Sequence, residues 1–127
     1  MTTIQQQIEA VLRKDVKDIS TDIIGSVVVD MNGFTLGSNL STEQDADLIA
    51  GVVSTFIGSV EILSDQLLRE PFEQIHIKSA GKYIILNSIS ENMILAVMTT
   101  DKVKVGLIIY WLRERIIPQL KSILKLK

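Results

Sequence analysis

Ile4, Ile8, Val11 and Leu12 recur three to four residues apart in a stretch free of Pro and Gly, the period of a helix buried along one face. Thr3 and Gln6 have capping-box spacing at its start, so the pattern predicts a helix over 3–18. The period then changes. Ile23 to Asp30 is rich in β-branched residues, Met31-Asn32-Gly33 interrupts it, and Phe34 to Ser38 resumes it. Asn-Gly between two such runs predicts a hairpin closed by a type I′ turn, which needs positive φ at both central residues.

Ser41 and Gln44 open a second helical pattern, again at capping-box spacing, with Glu43, Asp45 and Asp47 at the positive end of its dipole. It runs to about Leu68 and is closed by Pro71. Three strands follow, Phe72 to Ser79, Lys82 to Ile89 and Met93 to Thr99, separated by turns at Ala80-Gly81 and Ser90-Glu91-Asn92. Asp101 stands where it can cap a last helix from Lys102 to about Lys125, which Pro118 kinks or restarts.

The resulting order is α-β-β-α-β-β-β-α. Met93 to Met98 and Val27-Val28-Val29 are apolar at both parities, which predicts central strands covered on both faces. Phe72 to Ser79 alternates, with Ile75 and Ile77 on one side and Gln74, His76 and Lys78 on the other, as expected nearer an edge. One mostly antiparallel five-stranded sheet with helices against both faces, an α+β fold, satisfies every segment. At 127 residues the chain is read as one domain, 1–127.

The second helix carries more apolar surface than one sheet contact needs. Ile49, Val53, Phe56, Val60, Leu63 and Leu67 form a continuous stripe expected to face the sheet. Beside it runs a row of Leu48, Val52 and Ile62 with the small residues Gly51, Thr55, Gly58 and Ser59. Small side chains there let a second helix approach closely. Equally, Gly51 and Gly58 could permit tight packing on the domain's own sheet.

Composition narrows the chemistry. Cysteine is absent, which removes disulfides, thiol nucleophiles and thiolate metal sites and suits a reducing compartment. Thr2 to Gln7 is polar and lacks the basic start of a signal peptide. The longest unbroken apolar run, Val105 to Leu112, is far short of the ~20 residues of a membrane span. A cytoplasmic protein without a transmembrane segment is expected. Mean hydropathy of +0.30 hints at apolar surface hidden by a partner. Net charge is −2, yet residues 1–101 sum to −8 and residues 102–127 to +6. A basic last helix suits an acidic partner or anionic lipid, or is simply a solvated face with cations near the helix C-terminus.

Gly25-Ser26-Val27-Val28-Val29-Asp30-Met31-Asn32-Gly33-Phe34 resembles the first hairpin of the roadblock, or dynein light-chain roadblock, family: a small residue, a hydrophobic strand and an Asp-x-x-Gly turn. The order and length of the other elements match that family across nearly the whole chain, with longin and profilin-like domains related in topology. With no recognisable extension at either end, the resemblance is to a free-standing, MglB-like module. It implies a dimer in which the second helices pack together and the third strands join the two sheets. Gly51, Val52, Thr55, Gly58, Ser59 and Ile62 would then line the helix contact, and Gln74, His76 and Lys78 the strand contact. His76 is one possible centre of the strand pairing, in which case acidification, which protonates imidazoles, would weaken the dimer. Family members include dynein light chains, lysosomal scaffold subunits and a bacterial polarity regulator that stimulates a Ras-like GTPase.

The chain does not read as an enzyme. No G-x-x-x-x-G-K-[ST] string occurs, so it is not the nucleotide hydrolase itself. With His76 as its single histidine, a paired-histidine zinc site is excluded, and a Ser-His-Asp triad would have to pass through that residue. Asp45 with Asp47, and Asp15 with Asp18, read as solvated helix carboxylates rather than acid/base pairs. Arg69, Arg113 and Arg115 could be imagined as arginine fingers, but the resemblance argues against it. A pI near 5.3 and a basic helix without an interleaved aromatic platform speak against nucleic acid. No cofactor is expected. A homodimeric scaffold or regulator of a small Ras-like GTPase is the leading expectation. The second is a dynein-type or membrane-complex adaptor that binds a peptide or another roadblock subunit. A small-molecule sensor stands third.

Overall fold

The structure is a computed structural model that describes residues 3–40, 43–102 and 104–125. Its centre is one antiparallel sheet with the strand order β2-β1-β5-β4-β3. The strands are β1 (Ile23–Asp30), β2 (Thr35–Asn39), β3 (Gln74–Ser79), β4 (Lys82–Ser90) and β5 (Met93–Thr99). β1 and β5, the two strands apolar at both parities, lie at the middle, paired Val27 to Ala96 and Val28 to Leu95. Burial on both faces follows from helices on both sides, and β3 takes one edge with β4 as its neighbour.

One face is covered by the two ends of the chain. α1 (Ile4–Val11), a π-turn at Leu12–Val16 and α2 (Lys17–Ile19) form one arm; α4 (Val105–Trp111), a π-turn at Leu112–Ile116 and α5 (Ile117–Ile123) form the other. Ile8, Leu12, Val16, Ile108, Leu112, Ile116 and Leu120 close over Val28, Ile85, Leu95 and Val97. The opposite face is covered by the long α3 (Glu43–Leu67). Ala46, Ala50, Val53 and Ile57 pack there on Val27, Val29, Leu86, Ile94 and Ala96.

Local signals explain most boundaries. Thr3 and Gln6 form the capping box: the Gln6 N–H donates to Thr3 Oγ1 at 3.1 Å and the Thr3 N–H to Gln6 Oε1 at 2.9 Å. Pro118 stands in the first turn of α5, where its missing N–H is not needed, so the helix restarts there after a widened turn. The Ser41 half of the other capping box lies outside the described residues.

Two local expectations are corrected. The Asn32-Gly33 turn is not type I′, because only Gly33 has positive φ (88°). Asp30 closes it instead, its Oδ1 accepting from the N–H groups of Asn32 (2.9 Å) and Phe34 (3.0 Å). The adjacent pair of positive φ values occurs at Ala80 (52°) and Gly81 (84°), between β3 and β4. Asp101 does not cap the last helix, which begins at Val105 with Lys104 before it and no side-chain cap. The segment leaving β5 is tied to the entry of β1: the Thr100 N–H donates to the Asp22 carbonyl (2.8 Å) and Thr100 Oγ1 donates to Asp22 Oδ1 (3.1 Å). The Lys102 N–H then donates to Thr100 Oγ1, closing a turn at the expected start of the helix.

Ser26, fully buried on β1, has a hydroxyl with no hydrogen-bond partner among the described residues. Removing an unsatisfied buried hydroxyl relieves a desolvation cost of about 1–3 kcal/mol. Ser26→Ala is therefore expected to raise the melting temperature by a few degrees in thermal unfolding; a drop of similar size would mean that the hydroxyl has a partner.

Candidate protein-interaction site

α3 meets the sheet along a different line from the one its large apolar residues suggest. Its buried positions are Ala46, Ala50, Val53 and Ile57, with Ser64 further along. Of the expected core stripe, Val53 is buried and Ile49 and Val60 are half-buried, whereas Phe56, Leu63 (58% exposed) and Leu67 (70% exposed) point outward. Alanines at 46 and 50 bring the helix axis close to the sheet, and that choice turns the bulkier side chains away. The second row is on the surface: Leu48, Val52 and Ile62 are exposed, as are Gly51, Thr55 and Ser59, and Gly58 is half-buried.

The glycines of this row have no role within the protomer. A Cβ built on Gly51 or Gly58 meets nothing within 4 Å, so neither is needed for packing on the domain's own sheet. Each nevertheless costs helix stability, ~1 kcal/mol relative to Ala. Thr55 Oγ1 donates to the Gly51 carbonyl at 3.0 Å, which satisfies the hydroxyl within the helix. By length and composition alone, Ala46–Leu67 would suffice to cross a membrane, with a mean hydropathy of 1.7. Here one side of it lies on the sheet and the apolar surplus faces outward.

Sequence reasoning missed neighbours of this face. The β1–β2 turn abuts α3, since a Cβ on Gly33 would lie 3.5 Å from Ser54 Oγ and 3.9 Å from the Gly51 Cα. Phe34, next in the turn, is 66% exposed; only its place after the Asp-x-x-Gly turn could have pointed to it. On the same sheet face, Ile75 packs into the α3 core while Ile77 and its cross-strand neighbour Ile84 remain exposed beyond it.

Gln74, His76 and Lys78 lie on the other face of the sheet from α3. Their register partners are Asn87, Ile85 and Tyr83. Gln74 Nε2 donates to Asn87 Oδ1 at 2.9 Å, Lys78 Nζ sits 5.9 Å from the Tyr83 ring centroid, and His76 is exposed. One helix contact therefore cannot cover both sets of expected interface residues. The second set lies along the outer edge of β3, which no strand among the described residues pairs with; such an edge is a template for another strand.

The electrostatics of the face are one-sided. Exposed Asp47, Glu61 and Asp65 lie on α3, and among its described side chains there is no Lys or Arg. A cleft of about 810 Å³ beside its C-terminal half adds Glu70, Glu73 and Glu91, with Arg69 and Lys121 as the cations. Among the described residues no three His, Asp or Glu side chains converge as a metal-binding set. The arrangement is an apolar strip with an acidic rim.

The fold and this face can be set beside known proteins. MglB from Myxococcus xanthus superposes with a TM-score of 0.86 at 16% identity, over 98% of this chain and 92% of that one. The gliding protein mglB from Thermus thermophilus gives 0.82 at 16% identity, over 97% and 92%. Profilin IB from Acanthamoeba castellanii gives 0.60 at 12% identity, over 87% and 97%, the wider relationship of topology. Among curated proteins, none matches the sequence. A sequence profile of the Roadblock/LC7 domain matches residues 15–99, from the end of the first helical arm through β5. With that match over most of the chain and the strand order that places α3 and β3 as the free surfaces, the chain belongs to the Roadblock/LC7 domain family.

Proposed function

We propose that the chain is a non-enzymatic, cytoplasmic, homodimeric scaffold or regulator that binds a small Ras-like GTPase. The outer face of α3 carries this reading: a row of exposed Leu48, Val52 and Ile62 around glycines that nothing in the protomer requires. Two such helices can approach closely through Gly51, Thr55, Gly58 and Ser59. The β3 edges can pair at the same time and join the two sheets, with Gln74, His76 and Lys78 near the seam. The GTPase itself comes from the family resemblance; the acidic cleft that borders the helix contact adds that a partner seated there should present basic residues.

A GTPase reorders its switch loops with the γ-phosphate, so a regulator must bind one state better by a real free-energy difference. The dimer is expected to bind a cognate Ras-like GTPase at least roughly tenfold more tightly in one nucleotide state, ~1.4 kcal/mol. Titration against the GTPases of its own organism, loaded with GDP or a slowly hydrolysed GTP analogue, measures this. Failure to bind any of them in either state would remove the GTPase reading.

One observation favours a second reading. Self-pairing sets Asp47, Glu61 and Asp65 of two helices against each other with no cation among the described side chains of either, and like charges disfavour it. A different roadblock subunit with a basic helix would match better, which is the adaptor role. Capture of such a subunit in preference to a second copy would put that reading first.

A further inference from the structure

The face opposite α3 carries the reverse charge. Residues 104–125 hold five basic side chains and one acidic, and that one, Glu114, is taken by Arg113 at 3.1 Å. At the start of the arm Leu107 is 50% exposed beside exposed Tyr110 and half-buried Trp111, whose rings meet edge to face at 5.1 Å. A guanidinium lies over each ring: Arg113 is 5.8 Å from the Tyr110 centroid and Arg115 5.6 Å from that of Trp111. Aliphatic, aromatic and cationic groups thus lie together on the exposed side of the arm, which no element among the described residues covers.

From this juxtaposition we infer that the outer side of the C-terminal helical arm docks on an anionic lipid bilayer. Tyr and Trp rings settle at the headgroup level of a membrane, and Arg and Lys beside them meet lipid phosphates. A polar acidic surface would satisfy the cations but leave Leu107 and the ring pair without apolar cover; the bilayer boundary supplies both, and the apolar, acid-rimmed α3 of another copy is the rival that the test separates. The sheet also separates this basic layer from the acidic α3, so an anionic surface attracts one side of the molecule and repels the other. In the proposed dimer, sheets joined through β3 about an axis perpendicular to them would present both basic arms on one side. The inference does not depend on that dimer, because one arm already holds the whole set.

The full chain should float with phosphatidylcholine vesicles that contain phosphatidylserine and not with phosphatidylcholine alone, and binding should fall as salt is raised. Trp111 is the single tryptophan, so its emission should move to shorter wavelength on binding and be quenched by brominated lipid. Arg115→Gln with Lys104→Gln, both exposed beside the ring pair and Leu107, should lower partitioning by about 25-fold, on the basis of roughly fivefold for each basic residue. Arg115→Glu with Lys104→Glu should lower it further, and far-UV circular dichroism checks that both variants fold. No flotation with the anionic vesicles at low salt, an unchanged Trp111 emission, or glutamine variants that bind like the wild type would each overturn the inference. So would indifference to vesicles combined with head-to-tail self-association lost in the same variants, which would make the acidic α3 of another copy the occupant. GTPase titration reads the opposite face, so either result leaves the other open.

Discussion

Thr55→Glu or Ser59→Glu is expected to turn a micromolar dimer into a monomer in light scattering. Both positions lie on the outer face of α3 and touch no core, so the folded protomer should survive. An interface related by a two-fold axis meets the change twice. A carboxylate forced out of water without a partner costs several kcal/mol. About 4 kcal/mol for the pair already raises the dissociation constant roughly a thousandfold. Gly51→Ala and Gly58→Ala provide the opposite sign on the protomer. Open space around each predicts a gain of about 1 kcal/mol in helix stability, while the added methyl groups hold two helices apart and weaken association. Because the paired helices are both acidic, self-association should tighten as salt screens them. A wild-type monomer at micromolar concentration would end the homodimer reading, and variants that associate like the wild type would move the interface away from α3.

The largest expected loss of stability from a single added carbon lies on the opposite side, where α1 crosses β2. A Cβ at Gly37 would stand 2.6 Å from Ile8 Cγ2 and 3.2 Å from its Cβ. Ile8 is fully buried and cannot swing aside. The Glu9 carboxylate also accepts from the Ser38 N–H at 3.2 Å, which fixes α1 against the strand at that point. Gly37→Ala should cost about 1–3 kcal/mol, as overpacking of a tight core does, and Gly37→Val more. Thermal unfolding should show the alanine variant melting several degrees below wild type. An unchanged melting temperature would mean that α1 is not seated on β2 as described.

How far the sequence discloses this molecule depends on which residues make the signal. Central strands are legible because Val27-Val28-Val29 and Met93 to Met98 are apolar at both parities, and only strands covered twice tolerate that. The Thr3–Gln6 box is legible because side chain and backbone satisfy each other within one turn. The seating of α3 is not, because Ala46 and Ala50 contribute closeness rather than bulk, and a pattern weighted by side-chain size turns toward Phe56, Leu63 and Leu67. The turn chemistry misleads in a similar way. Asn32-Gly33 has the residues of a type I′ turn, but the Asp30 carboxylate competes for the same N–H groups, while Ala80 adopts positive φ (52°) with no such advertisement. Of the candidate site, the outer row of α3 could be found from its small residues. Phe34 could be found only from its place after the turn, and Ile77 and Ile84 could not, since their exposure depends on how far α3 reaches across the sheet.

The π-turns at Leu12–Val16 and Leu112–Ile116 pack against each other, one in each arm. A π-turn holds one residue more than the α-helical turn it replaces. Loss of a residue inside Leu12–Val16 would restore regular winding and leave the flanking halves facing the core as before, whereas in the other arm Pro118 needs the widened turn before it. Elsewhere in a regular helix the same loss turns everything beyond it by about 100°. The first arm therefore has one place where the chain can shorten by a residue during divergence, whereas α3, regular over 25 residues, has none.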